Sequence, residues 1–100
     1  MIVHNVYFTL NDPSESAKDH MVQECNKYLK NHPGVTFFAA GKCEEELARP
    51  VNDRMYHVAL HVVFDTRQAH DDYQVAEAHL RFIDDNKASW KQVRVFDSNC

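Results

Sequence analysis

Histidine is the side chain whose ordinary pKa lies nearest neutrality, and this chain carries seven in 100 residues. Two of them fall among apolar neighbours. His4 alternates with Ile2, Val6 and Phe8, and His79 lies beside Leu80 and Ile83 at helical spacing. Tyr73 adds a phenol shortly before His79. Two imidazoles and a phenol converging on one apolar pocket would supply a base kept neutral by burial and a donor for a ligand oxygen. Either histidine alone would be an ordinary core residue needing one hydrogen-bond partner. Cys25 shares a helix face with Met21 and points the same way, but a buried cysteine is usually inert.

The other histidines carry less chemistry. His57 and His61 are spaced as a metal pair would be on a helix, yet they lie in a strand-like stretch. There, four residues span about 13 Å, too far to share one ion. They are expected to face a partner sheet. His20, His32 and His70 fall on polar helix faces or at element ends, where the surface is the default. Cys25, Cys43 and Cys100 form an odd, widely spaced set without a CxxC pair, which fits a reduced compartment. No metal and no cofactor are expected.

These groups have to be positioned by a short series of elements. Ile2 to Leu10 alternates as a strand with one strongly apolar face. Asn11-Asp12-Pro13-Ser14 is a turn able to cap a helix from about Glu15 to Asn31, which places Ala17, Met21, Cys25 and Tyr28 or Leu29 on one stripe. Pro33-Gly34 stops it, and Val35 to Lys42 reads as a second strand. Cys43 to Asp53 is a polar loop, and Arg54 to Phe64 the clearest strand. Asp65-Thr66 can cap a short helix to Tyr73, followed by a second piece from about Ala76 to Ala88 carrying Ala76, His79, Leu80 and Ile83 inward. Trp90 to Phe96 is the last strand.

The order is βαββαβ. It predicts an α+β, ferredoxin-like domain over residues 1–100, a four-stranded antiparallel sheet with its helices on one face. The other face would carry Val3, Tyr7, His57, Ala59, His61, Val63 and Phe96. That row is too apolar to stay wet, and a homodimer through the sheet faces would cover it.

Composition removes several classes. A net charge of -4 argues against nucleic acid, and the third strand lacks the glycine-and-aromatic pattern that stacks bases. Two glycines leave little for a phosphate-cradling loop. No apolar run is long enough for a membrane span, and the N-terminus lacks the basic flank of a signal peptide. No membrane partner is expected, and the cytoplasm is the default location.

Several motifs, in order, resemble the stress-responsive dimeric α/β-barrel (Dabb) family. They are His4, Pro33-Gly34-Val35, Gly41, Val62-Val63-Phe64-Asp65, Asp72-Tyr73, Ala78-His79 and Val95-Phe96-Asp97. The resemblance implies a homodimer whose two sheets close a barrel, with a pocket between sheet and helices in each protomer. From Asp72 to Asp97 the chain is similar to plant polyketide cyclases of the olivetolic acid type. There the residues matching Tyr73 and His79 carry an aldol condensation, so the resemblance assigns His79 as base, Tyr73 as oxyanion donor and His4 as a lining residue. Three positions depart from that pattern. Ala76-Glu77 replaces a His-Pro pair, Val58 stands where a pocket histidine would, and Ile83 replaces a glycine. A polyketide tail would meet a narrower cavity.

The expected function is therefore a homodimer binding a small apolar or aromatic carbonyl compound. Its pocket would be lined by His4, Val6 and Phe8, by Met21, Val22 and Cys25, by Val58 and Leu60, and by Tyr73, His79, Phe82, Ile83 and Trp90. Were it an enzyme, it would be a cofactor-free cyclase or aldol-type lyase, ahead of a cofactor-independent monooxygenase. The rival from another class is a non-catalytic stress or interaction protein. A cavity plugged by Ile83 and Trp90 would favour that rival.

Overall fold

Alternation at the N-terminus produces the strand on which everything else is assembled. In the computed structural model, which describes residues 1–100, β1 runs Ile2–Leu10 and buries His4, Val6, Phe8 and Leu10 on one face. It pairs antiparallel with β3 (Val58–Phe64) on one side and β4 (Trp90–Asn99) on the other. The strand β2 (Val35–Lys42) completes the sheet outside β3, giving the order β2-β3-β1-β4. The helices α1 (Glu15–Leu29), α2 (Arg67–Val75) and α3 (Glu77–Asn86) pack with the buried rows of β1 and β3 into one core. No helix is long and apolar enough to cross a membrane.

Local chemistry sets the boundaries. Ser14 caps α1 by accepting from the Ala17 N–H at 3.2 Å, and Met21, Cys25 and Leu29 form the buried stripe. The turn after α1 requires Gly34. Its φ is +87°, and a Cβ there would stand 2.5 Å from the Cβ of Ala69, so the turn and α2 meet only because no side chain intervenes. Thr66 caps α2 through the Ala69 N–H. Extended backbone at Ala76 then breaks the helix before α3.

Three differences from the sequence expectation bear on the site. The third strand begins at Val58 rather than Arg54, because the His57 ring accepts the Leu10 N–H at 2.8 Å and takes the place of a further backbone rung. The last strand continues to Asn99 rather than Phe96 and reaches the other terminus, where Met1 and Cys100 exchange backbone hydrogen bonds. That extension places Asp97 opposite His4. The third difference is Leu80, expected inward and found 49% exposed on α3.

Helices cover one face only. On the other, Phe37 and Phe96 are 56% and 52% exposed, beside half-buried Val3, Tyr7, His61 and Val63. His57 and His61 find partners within their own chain. His57 bonds the end of β1, and His61 Nδ1 lies 2.7 Å from Asn5 Oδ1, its cross-strand neighbour.

Candidate functional site

The break between α2 and α3 builds the centre of the site. In an unbroken helix the Gln74 carbonyl would accept from Ala78; the interruption leaves it without that partner. The His79 ring takes it instead, Nδ1 to Gln74 O at 3.1 Å. A carbonyl can only accept, so Nδ1 carries the proton and Nε2 keeps its lone pair. Burial lowers the His79 pKa, with the Gln74 hydrogen bond opposing and the neighbouring His4, His32 and His70 reinforcing. The imidazole is a neutral base.

Tyr73 lies against it, ring centroids 4.6 Å apart. The phenol is 1% exposed and its hydroxyl has no hydrogen-bond partner. Burial pushes its pKa well above the ordinary value, so it serves as a neutral donor. A buried hydroxyl left unpaired costs about 1–3 kcal/mol, which marks the position as one poised to meet an acceptor.

Both side chains line a cavity of about 180 Å³ between sheet and helices. His4, Val6 and Phe8 of β1 and Leu60 of β3 form its floor; Phe82 and Ile83 of α3 and Trp90, Val93 and Val95 of β4 form its walls. Gln74 adds a polar edge. Ile83 and Trp90 narrow the space without filling it. Tyr73 and His79 also wall a second hollow of about 260 Å³, with Lys27, Asn31 and His32 among its other residues. The largest hollow, about 350 Å³ between Tyr7, Asp53, Tyr56, Arg94 and Phe96, lies on the open sheet face and holds an Arg94–Asp53 ion pair but no histidine.

Four residues expected in the pocket do not line it. Met21, Cys25 and Val58 are fully buried core, and Val22 packs against that core from α1. Rings of Phe8, Phe82 and Trp90 pack on one another with centroids 5.1 to 6.1 Å apart, and the Trp90 indole N–H reaches Met21 Sδ at 3.5 Å. Burial lifts the Cys25 thiol to about 12, which removes it as a nucleophile.

Two histidines expected at the surface belong here instead. His32 sits edge-on to Tyr73 at 5.5 Å, and His70 edge-on to His4 at 5.4 Å. His20 remains on the surface. The sequence reading also missed Gln74, Val93, Val95 and Asp97. For the last three the signal was present, because Val93, Val95 and Asp97 continue one period-2 row of β4. His4 Nδ1 meets Asp97 Oδ1 at 2.5 Å.

Burial lowers the pKa of His79 and of His61, which fixes a pH dependence. The unfolded chain binds a proton at each imidazole near the ordinary value of 6.5, while the folded chain resists it. Their contribution is therefore intact above that pH and falls as pH drops from about 6.5 towards the folded pKa values, by at most about 1.4 kcal/mol per pH unit per group. Thermal unfolding should show a lower Tm at pH 5.5 than at 7.5, and His79→Gln should flatten the difference. An unchanged slope in that variant would show that His79 is not desolvated.

The family model described as the Stress responsive A/B Barrel Domain (Dabb) matches residues 2–100. No curated protein sequence matches the chain. Among solved structures, a Dabb-family protein with a ferredoxin-like fold from Mesorhizobium loti is similar at 25% identity, over 99% of this chain and 95% of its own, with a TM-score of 0.79. A dimeric ferredoxin-like protein from Thermobifida fusca is 18% identical over 99% of this chain and 90% of its own, TM-score 0.79. The hydroxynitrile lyase from Passiflora edulis is 15% identical over 97% and 90%, TM-score 0.75. At these last two identities the likeness concerns the fold.

Proposed function

We propose that this chain, which belongs to the stress-responsive A/B barrel (Dabb) family, works as a homodimer and binds a small apolar or aromatic carbonyl compound in the cavity of each protomer. The dimer is supported by the half-exposed aromatic sheet face and by dimeric relatives of the same fold. One observation carries the ligand reading: the Tyr73 hydroxyl is buried without a partner beside a neutral His79, in a cavity otherwise nearly all apolar. An unpaired donor next to an unpaired base complements a carbonyl oxygen with an acidic C–H alongside.

Size limits the class. A cavity of about 150 Å³ lined by apolar side chains holds benzene, so about 180 Å³ admits one ring with a short substituent or a chain of similar bulk. A long polyketide is too large. The reaction such a pair would perform is enolisation. The His79 Nε2 takes the α-proton as the C–H electron pair moves into the new carbon–carbon double bond, and the resulting oxyanion accepts from Tyr73. Aldol-type ring closure or its reverse would follow from that enolate without a cofactor.

Acetophenone and ethylbenzene, similar in shape and differing in the carbonyl, test the binding. Calorimetry should find acetophenone about tenfold tighter, the equivalent of one hydrogen bond of ~1.4 kcal/mol. Exchange of the acetophenone methyl protons with deuterium oxide, followed by NMR, should be accelerated by the protein and not by His79→Ala. Equal affinities would overturn the carbonyl reading. Selective binding without accelerated exchange would support a binding protein over an enzyme.

A further inference from the structure

A second constellation, which the carbonyl reading does not use, lies where β1, β4 and α2 meet. His4, His70 and Asp97 each present one donor atom, and the three atoms lie within 4.8 Å of one another. The fold places them deliberately close: His4 and Asp97 are paired across adjacent strands, and the His70 ring stands edge-on to that of His4. The two imidazoles are held in place, with side chains 6% and 15% exposed, while Asp97 is 45% exposed and free to adjust. Donors about 2.0–2.2 Å from a common ion stand roughly 3 to 3.6 Å apart. The set spans up to 4.8 Å, so an ion would draw the donors together, with the half-exposed Asp97 carboxylate leaving its 2.5 Å contact with His4.

The support around His70 is of the kind a ligating histidine has. Its Nδ1 donates to Asp71 Oδ1 at 3.0 Å, and Asp71 is in turn fixed by Arg67 Nε at 2.8 Å. A carboxylate on one ring nitrogen sets the tautomer and leaves Nε2 as the donor to an ion. The Gln74 amide approaches that nitrogen at 3.4 Å, a weak contact that an ion would displace.

We infer that His4, His70 and Asp97 form a binding site for a divalent first-row transition ion of the zinc class. Two imidazoles with one carboxylate suit zinc, cobalt, nickel or ferrous iron, whereas magnesium and calcium require oxygen ligands throughout. Three protein ligands leave at least one position for water or another oxygen ligand. Because His4 also lines the 180 Å³ cavity, the ion sits at the cavity wall. The inference stands whether or not a carbonyl compound binds.

The experiment uses the full chain with Cys43→Ser and Cys100→Ser, so that accessible thiols take up no ion. Cobalt is titrated by its visible absorption and zinc by calorimetry, in the absence of any organic ligand. One equivalent per chain is expected. His70→Ala and Asp97→Asn should each weaken zinc binding by more than about tenfold, and Asp71→Asn by about tenfold through the second ring nitrogen. His20→Ala, on the exposed face of α1, should change nothing. Asp97→Asn alters a half-exposed residue and guards against a folding defect in the His70 variant. Absence of a one-equivalent site, or a site indifferent to both His70→Ala and Asp97→Asn, overturns the inference.

Discussion

Phe64→Ala should cost about 3–5 kcal/mol, the range for emptying a buried aromatic site. For a chain of this size that lowers Tm by about 12–40 °C. Phe64 is fully buried at the end of β3, where it pairs with Ile2 on one side and Val35 on the other. Its ring lies 5.0 Å from Tyr73, 5.5 Å from His70, 6.3 Å from His4 and 6.5 Å from His32. These four rings come from three separate segments, β1, α2 and the turn after α1, so the void cannot be closed by one side chain moving. With total stabilities of about 5–15 kcal/mol, the loss is about a fifth or more. Urea unfolding at matched protein concentration measures it, with Phe64→Leu expected to recover more than half. A drop below about 1.5 kcal/mol would mean that the cluster repacks freely and is not a rigid support for Tyr73 and His79.

The same ring cluster explains what could and could not be read from the residues alone. Period-2 alternation in Ile2 to Leu10 and the Met21, Cys25, Leu29 stripe depend only on each element's own geometry, and both were legible. His32 and His70 were not. Each looks polar on its own element, and what buries it is Phe64 and Tyr73 arriving from elsewhere in the chain. Met21, Val22, Cys25 and Val58 show the converse limit. Periodicity tells which face is inward, but it does not tell which inward residues reach the cavity and which are covered by their neighbours. His79 was legible from its place on the inward helix stripe, the roles of Tyr73 and His79 came from resemblance to a family, and the geometry adds the Gln74 carbonyl that fixes the tautomer. Asp97 escaped because the last strand reads as ending at Phe96, three residues short of Asn99, although its alternation continues.

Tyr73→Phe should do something most substitutions do not, and stabilise the protein. The change removes one oxygen and keeps the ring, so the contacts with Phe64, His4, His32 and His79 persist. What is lost is a hydroxyl with no partner, buried at the cost of its hydration. Relief of about 1–2 kcal/mol is expected, a rise in Tm of roughly 4–15 °C. The same variant should bind acetophenone about tenfold more weakly and lose accelerated α-proton exchange, because the donor for the carbonyl oxygen is gone. The opposite signs are the point. A hydroxyl that merely braced the turn between α2 and α3 would make Tyr73→Phe less stable and leave ligand affinity untouched. A hydroxyl kept for a ligand makes the empty protein less stable than it could be, and such residues gather at functional sites. Calorimetric unfolding of the two proteins, with and without acetophenone, distinguishes these cases directly. A lower Tm for Tyr73→Phe without ligand would sink the functional reading of the phenol, and with it the main ground for a carbonyl in the cavity.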